Sequence, residues 1–158
     1  MSKIFSFPHP VNEYAARSVA ACVCILTIAT IITSWLPLAI FLAYGFWARV
    51  LTGPSLSPIG QFSTRIITTK FIKSDRPVAG PPKRFAQAIG VCFSTGALIC
   101  LLLEIPSIAQ TLLIILAIFA FLESAFGFCA GCKTFSLLMK IGLVPAEICE
   151  RCNNLSFD

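Results

Sequence analysis

Four cysteines near the end of the chain form two C-x2-C pairs separated by 16 residues: Cys129 with Cys132, and Cys149 with Cys152. A C-x2-C pair brings two sulfurs within reach of one metal ion or one disulfide bond. Two pairs at this separation fit the spacing of a four-thiolate zinc site. The same pairs also suit a cycling dithiol or a sulfur relay. The spacing therefore predicts thiol chemistry or zinc binding at these four cysteines.

A carboxylate lies in an apolar stretch close to the first pair. Glu123 precedes Cys129 by six residues, and an ionisable group inside a membrane span is costly enough to be a functional candidate. Two roles are open for it. Glu123 either forms an ion pair with a nearby arginine, Arg17, Arg49 or Arg84, or accepts a proton beside the thiols.

A lysine follows the first pair directly. We expect the positive charge of Lys133 to favour the thiolate of Cys132, since a nearby cation stabilises a thiolate. The candidate catalytic residues are therefore Cys129, Cys132, Glu123 and Lys133. The other four cysteines lie within apolar stretches, where a thiol packs as a small apolar side chain. They are Cys22, Cys24, Cys92 and Cys100.

The composition places these residues in a membrane protein. Of the 158 residues, 57% are hydrophobic and 12% are charged, whereas about a quarter of the residues in a soluble domain are charged. The apolar content excludes a disordered chain. The 12 basic residues are too few and too dispersed for a nucleic-acid binder, so we expect no nucleic-acid partner.

Prolines divide two long apolar blocks into four predicted spans. No charged residue lies between Arg17 and Arg49, and Pro37 falls inside that block. The second block, 85–132, carries only Glu104 and Glu123 and is divided at Pro106. Since a span needs roughly 20 helical residues and proline disfavours helix in the residue before it, each block predicts a helical hairpin. The predicted spans are 14–34, 36–51, 84–103 and 107–128.

The sequence thus predicts an all-α fold: a four-helix transmembrane bundle of two tandem helical hairpins, forming one membrane domain over residues 1–158. A loop over 52–82 joins the hairpins. Within it, Ile59–Lys73 has helical apolar spacing, which predicts an interfacial helix that either anchors in the headgroup layer or docks a soluble partner. In the Cys-rich tail, 129–158, we expect a short helix over 133–141 capped by Gly142.

The basic residues predict the orientation. All 12 lie on one side of the four spans, nine of them outside the spans and Arg17, Arg49 and Arg84 in the terminal turn of a span, and none lies in the turns at Trp35 and Pro106. The bias of lysine and arginine toward the cytoplasm predicts that both termini and the cysteine pairs face inward. A cytoplasmic location disfavours structural disulfides, which leaves metal binding, a cycling dithiol or sulfur transfer.

Several stretches resemble a family of uncharacterised bacterial integral-membrane proteins that is classified only as a domain of unknown function. The main ones are Pro82-Lys83-Arg84-Phe85-Ala86 and Phe128-Cys129-Ala130-Gly131-Cys132-Lys133. The resemblance implies a multi-pass protein of the bacterial inner (cytoplasmic) membrane. It implies motif positions at Lys83 and Arg84, at an interface or in an ion pair, in addition to Glu123, Cys129, Cys132 and Lys133. It also supports a thiol role with a thioredoxin-like partner.

Three functional hypotheses follow. In the first, Cys129 and Cys132 exchange electrons or sulfur with a thioredoxin-like or sulfur-carrier protein or with a membrane quinone, while Cys149 and Cys152 resolve or relay. In the second, the four thiolates hold a structural zinc ion and the protein is not an enzyme. In the third, the protein is a small transporter, and four short spans would then require a homo-oligomer. Its surroundings in each case are the lipid bilayer.

Overall fold

The computed structural model describes residues 11–67 and 77–142, and these are helical apart from one short pair of strands. The strands are β1, Val11–Asn12, and β2, Pro77–Val78, which pair antiparallel with Val11 opposite Val78. Since each strand lies immediately before a long helix, this pair holds the starts of those two helices together. Cys149 and Cys152 lie outside the described residues.

Six α-helices lie in the described residues, and a five-residue π-helical stretch, Ser63–Ile67, follows the third. Their bounds are α1 Glu13–Thr33, α2 Leu36–Thr52, α3 Pro58–Phe62, α4 Gly80–Leu102, α5 Pro106–Phe126 and α6 Ala130–Lys140. The π-helical stretch and α3 occupy the first half of the predicted interfacial helix, and its remainder lies outside the described residues.

The turn between α1 and α2 contains two residues. Asn12 caps the start of α1 by accepting a hydrogen bond from the Tyr14 backbone at 2.9 Å. At the other end of α1, Ser34 takes a left-handed conformation with a φ of 49° and donates its N–H to the Thr30 carbonyl. Pro37 falls in the first turn of α2, where its missing N–H costs no helical hydrogen bond.

The third long helix begins earlier than the sequence predicted. α4 starts at Gly80 rather than residue 84, because Pro81 and Pro82 lie in its first turn instead of in the loop. Proline is well tolerated there, since its φ is already helical and the first N–H groups have no partner within the helix. Lys83 consequently lies within the helix, with a defined direction for its side chain.

The helices pack against their neighbours in a simple order. α1 contacts α5 and α2, α2 contacts α4, and α4 contacts α5 and α6. The core between them includes Leu42 and Leu113, which are almost fully buried. Contacts between Arg17 and Ser124, and between Lys83 and Glu123, place one end of α1 and α4 beside the C-terminal end of α5.

Apolar side chains cover much of the outer surface, whereas polar ones are buried. Ile32 and Phe126 are more than 70% exposed, while Thr27 and Thr30 are 0% exposed. Each buried threonine hydroxyl donates to a carbonyl one turn earlier in α1, so its burial leaves no unpaired donor. α1, α4 and α5 are long and apolar enough to cross a membrane, and α2 is a shorter apolar helix of 17 residues. The protein is therefore a membrane protein.

Candidate functional site

Cys129 occupies the cap position at the start of α6. Its backbone is extended, with φ −97° and ψ 103°, and its sulfur accepts a hydrogen bond from the Cys132 backbone N–H at 3.4 Å. A helix start leaves several N–H groups without helical partners, and these carry partial positive charge. The first C-x2-C pair therefore directs one sulfur at donors that favour a thiolate.

The two thiols of this pair differ in acidity. The Cys132 thiol donates a hydrogen bond to the Cys129 sulfur, which lowers the pKa of Cys129 and, with burial, raises the pKa of Cys132. Burial and the charge of Glu123 oppose the lowering at Cys129, and the charge of Lys83 supports it. When the pair loses one proton, the remaining proton therefore stays on Cys132 and the thiolate forms at Cys129.

Gly131 lets α6 lie directly on α4. A Cβ atom at this position would lie 2.6 Å from both the Cα and the Cβ atoms of Ala86. One turn further along, the rings of Phe85 and Phe135 pack with their centroids 5.5 Å apart. The glycine between the two cysteines is therefore required for the close approach that fixes the thiol pair on the bundle.

A buried ion pair lies beside the thiols. Lys83 Nζ is 2.6 Å from Glu123 Oε1, and the two side chains are 10% and 15% exposed. Sequence reasoning predicted an ion pair for Glu123 with Arg17, Arg49 or Arg84, and that choice of partner was wrong. Because α4 starts at Gly80, Lys83 is the basic residue that faces α5.

The three arginines contact other groups. Arg17 donates to the carbonyls of Ser124 and Ala125 and so satisfies acceptors at the C-terminal end of α5. Arg84 donates to the Val50 carbonyl at 3.1 Å. The polar contacts of Arg17 and Arg84 therefore hold neighbouring helices together rather than neutralising Glu123.

Arg49 is the third of these arginines and is 4% exposed. Its Nε donates to Gln87 Oε1 at 2.8 Å, an Nη donates to Ser57 at 3.2 Å, and its guanidinium lies 4.5 Å from the Phe46 ring centroid. The sequence did not indicate Gln87, and it indicated Arg49 only as a possible ion-pair partner of Glu123. Their pairing depends on the register between α2 and α4, which hydropathy does not encode.

The position of Lys133 does not match the role predicted for it. Its side chain is exposed, and the pKa of Cys132, which Lys133 was expected to lower, is raised. The lysine whose charge acts on the thiol pair is Lys83. Sequence adjacency was misleading here because the helical turn carries the side chain of residue 133 to the exposed side of α6.

The remaining cysteines are separate from this site. Cys24 is buried in the core of the bundle, whereas Cys92 is exposed on α4. Within residues 11–67 and 77–142, no group of three or more potential metal ligands comes together. The predicted four-cysteine zinc site also needs Cys149 and Cys152, so the described residues contain half of it.

Two cavities meet at Cys129. An outer pocket of about 260 Å³ is lined by both cysteines of the pair and by the charged residues Lys83, Lys133 and Glu13. An inner cavity of about 140 Å³ lies among the helices and is lined mainly by small and apolar side chains, together with Glu123 and Gln87. Cys129 lines both, whereas Cys132 lines the outer pocket.

A family model described as "Domain of unknown function (DUF4395)" matches residues 11–140. The chain belongs to the DUF4395 family. No curated protein and no solved structure matches the chain. The DUF4395 match contains both cysteines of the first pair and the Lys83–Glu123 ion pair, and it ends at the last residue of α6. The second cysteine pair lies beyond the matched residues.

Proposed function

We propose that α1, α2, α4 and α5 all cross the inner membrane of a bacterium as a four-helix bundle of two hairpins, with the thiol site at its cytoplasmic end. α2 has 17 residues and is about 25 Å long, close to the thickness of the hydrocarbon core. Arg17, Arg49, Lys83 and Arg84 all lie near the thiol end. That distribution of charge supports a cytoplasmic location for the site.

Within this setting the protein is a thiol–disulfide exchange protein whose active pair is Cys129 and Cys132. The observation that carries this function is the capped Cys129 sulfur, which accepts hydrogen bonds from the α6 backbone and from Cys132 and lies close to Lys83. A C-x2-C pair at a helix start with one stabilised thiolate is suited to reversible disulfide chemistry. Stabilising the reduced form also makes the disulfide form a better oxidant.

The two cysteines differ in exposure, and this difference gives the exchange a direction. In the oxidised protein, a thiolate of a soluble dithiol partner attacks the sulfur of Cys132, the less buried residue, and the Cys129–Cys132 bond breaks. Cys129 leaves as a thiolate, and its lowered pKa makes it the better leaving group. The second thiolate of the partner then attacks its own mixed disulfide. Cys132 is released and protonated, and two electrons have moved from the partner to the pair.

The test uses the purified, detergent-solubilised protein and compares the wild type with variants in which one cysteine is replaced by serine. Mild oxidation should form a disulfide between Cys129 and Cys132, identified by peptide mapping, and dithiothreitol should reduce it. Cys129→Ser and Cys132→Ser should each abolish the disulfide. Cys100→Ser, which changes a half-buried thiol within α4, should leave it intact. If Cys129 and Cys132 stayed unpaired while other thiols oxidised, the proposed function would be wrong.

Zinc binding is a second candidate, favoured by the contact between the Cys129 sulfur and the Cys132 backbone and by the spacing of all four cysteines. In that case the tail would be held to the bundle by the metal. About one zinc ion per chain, lost with thermal stability in Cys149→Ser as well as in Cys129→Ser, would support it. Metal-free protein with full exchange activity would exclude it. Transport stays a prediction of the sequence.

A further inference from the structure

The inner cavity lies between four long helices and the start of α6, and its walls are lined by small residues. Ala20 of α1 and Ala120 of α5 leave the space open because their side chains are small, whereas the Phe46 ring of α2 packs against Gly90 of α4 at its edge. Its volume of about 140 Å³ is close to that of an apolar protein cavity that binds benzene. The cavity can therefore hold one six-membered ring.

The cavity also reaches the surface of the molecule. Phe119 of α5, which lines it, is 38% exposed, and the ring of Phe119 packs edge-on against Phe93 of α4. This wall belongs to two helices whose outer surfaces are apolar. A ligand dissolved in the lipid can thus enter between α4 and α5 without crossing a polar surface.

The polar groups of the cavity lie at one end. Gln87 lines it, and because its Oε1 accepts from Arg49 Nε, its amide N–H groups are left as donors for a ligand oxygen. Glu123, paired with Lys83, and the Cys129 sulfur lie at the same end. A donor for a carbonyl, a group that handles protons and a thiolate therefore face one apolar ring-sized space.

We propose that the inner cavity binds a lipid-soluble quinone, which reoxidises the Cys129–Cys132 dithiol. This inference rests on the proposed thiol-exchange function and adds its electron acceptor. Electrons enter from the outer pocket at Cys132, and they leave through Cys129, the sulfur that lines both cavities. In this way the site passes electrons from a soluble dithiol partner to a quinone in the membrane.

The reaction balances as a two-electron transfer. The Cys129 thiolate forms a bond to a quinone ring carbon, and the Cys132 sulfur then attacks Cys129, so that the disulfide forms as the bond to the ring breaks. The dithiol is oxidised and the quinone is reduced to a hydroquinone. One of the two hydroquinone protons comes from the Cys132 thiol and the other from water, through the Lys83–Glu123 pair.

The test uses duroquinone, whose fully substituted ring has no hydrogen for a thiol adduct to lose, so that sulfur bonded to the ring is released again rather than kept as a stable thioether. The reduced protein in detergent is mixed with duroquinone, and reoxidation is followed by quinone absorbance and thiol count. Two variants fill the cavity from opposite walls, Ala120→Leu and Ala20→Leu. The control, Ala125→Leu, adds the same side chain at an exposed position of α5. Reduction of each oxidised variant by dithiothreitol measures thiol exchange independently of the cavity.

We expect the wild-type rate to saturate with duroquinone concentration. Both cavity variants should reoxidise at least tenfold more slowly while dithiothreitol reduces them normally, and Ala125→Leu should match the wild type. Wild-type reoxidation that rises linearly without saturation, or cavity variants that reoxidise at the wild-type rate, would overturn the quinone site and leave the exchange function standing. Loss of the Cys129–Cys132 disulfide chemistry in the wild type would overturn both.

Discussion

The two ends of the helix bundle differ. At one end, the chain turns at Ser34 and at Glu104, and both residues are exposed and have positive φ angles. At the opposite end, charged side chains are buried: Arg49 is 4% exposed and Lys83 is 8% exposed. The first end needs only residues that form tight turns, and these cost little free energy of folding. At the second end, burying the charges of Arg49 and Lys83 costs desolvation free energy, although a turn between helices does not require buried charge. This difference indicates a functional site.

The largest effect should come from breaking the ion pair at the buried end. Glu123→Leu leaves the Lys83 ammonium buried without its carboxylate, which should lower the free energy of unfolding by about 3–5 kcal/mol. Denaturant unfolding in detergent measures it. The matched change at the turn end, Glu104→Gln, alters an exposed carboxylate and should shift stability by less than about 0.5 kcal/mol.

The double variant Lys83→Met/Glu123→Leu separates charge burial from packing. Replacing both partners removes the unpaired charge, so it should be at least as stable as the single variant and close to the wild type. A single variant as stable as the wild type would mean that the pair is effectively solvated, and the contrast between the two ends would then be lost.

The next effect concerns the glycine between the cysteines. Gly131→Ala forces a Cβ atom against Ala86 of α4, so it should destabilise the docking of α6 by about 1–3 kcal/mol. Proteolysis of α6 in the folded protein reports this docking. The control is Gly96→Ala, since a Cβ there would meet the end of the flexible Leu112 side chain at 3.3 Å. Equal protease resistance of Gly131→Ala and Gly96→Ala would contradict the close contact.

A smaller effect should appear in the pH dependence of Cys129. Its pKa is lowered mainly by the hydrogen bond from the Cys132 thiol, so alkylation by iodoacetamide should become half-maximal at a lower pH than that of an unperturbed thiol. Cys132→Ala removes that donor, and the alkylation profile of Cys129 should move to higher pH. A profile unchanged by Cys132→Ala would show that the two sulfurs do not share a proton.

The smallest effect is expected at the turn end. Ser34 holds a left-handed conformation with a φ of 49°, which glycine adopts without steric penalty. Ser34→Gly should therefore raise stability by about 0.5 kcal/mol without changing thiol reactivity. Thermal unfolding in detergent, together with the alkylation rate of Cys129, checks both statements, and an altered alkylation rate would show that the two ends are coupled.

The elements could be predicted from the sequence, whereas most of the site contacts could not. Charge-free stretches and the prolines at 37 and 106 predict where the long helices lie, because hydropathy and proline act locally. The partner of Glu123 was missed because four residues at the start of α4 were assigned to the loop. The burial of Arg49 against Gln87 depends on how two helices are aligned, and that alignment arises from tertiary packing.

The C-x2-C motif shows the same division. Its spacing predicts that the two cysteines lie close together, and the Cys132 backbone N–H contacts the Cys129 sulfur at 3.4 Å. The spacing does not predict that Cys129 caps α6 or that Gly131 contacts Ala86, because both depend on α6 lying against α4. The roles of the second pair stay predictions, since Cys149 and Cys152 lie outside the described residues.

The proposed function requires that Cys129 and Cys132 form a reversible redox pair, and equilibrium titration in glutathione redox buffers tests this requirement most directly. The disulfide is quantified by mass spectrometry of alkylated peptides. We expect one two-electron transition at a potential above about −270 mV, since stabilisation of the Cys129 thiolate favours the reduced form. Two thiols that remain reduced across the whole range, or a disulfide that joins other cysteines instead, would contradict it.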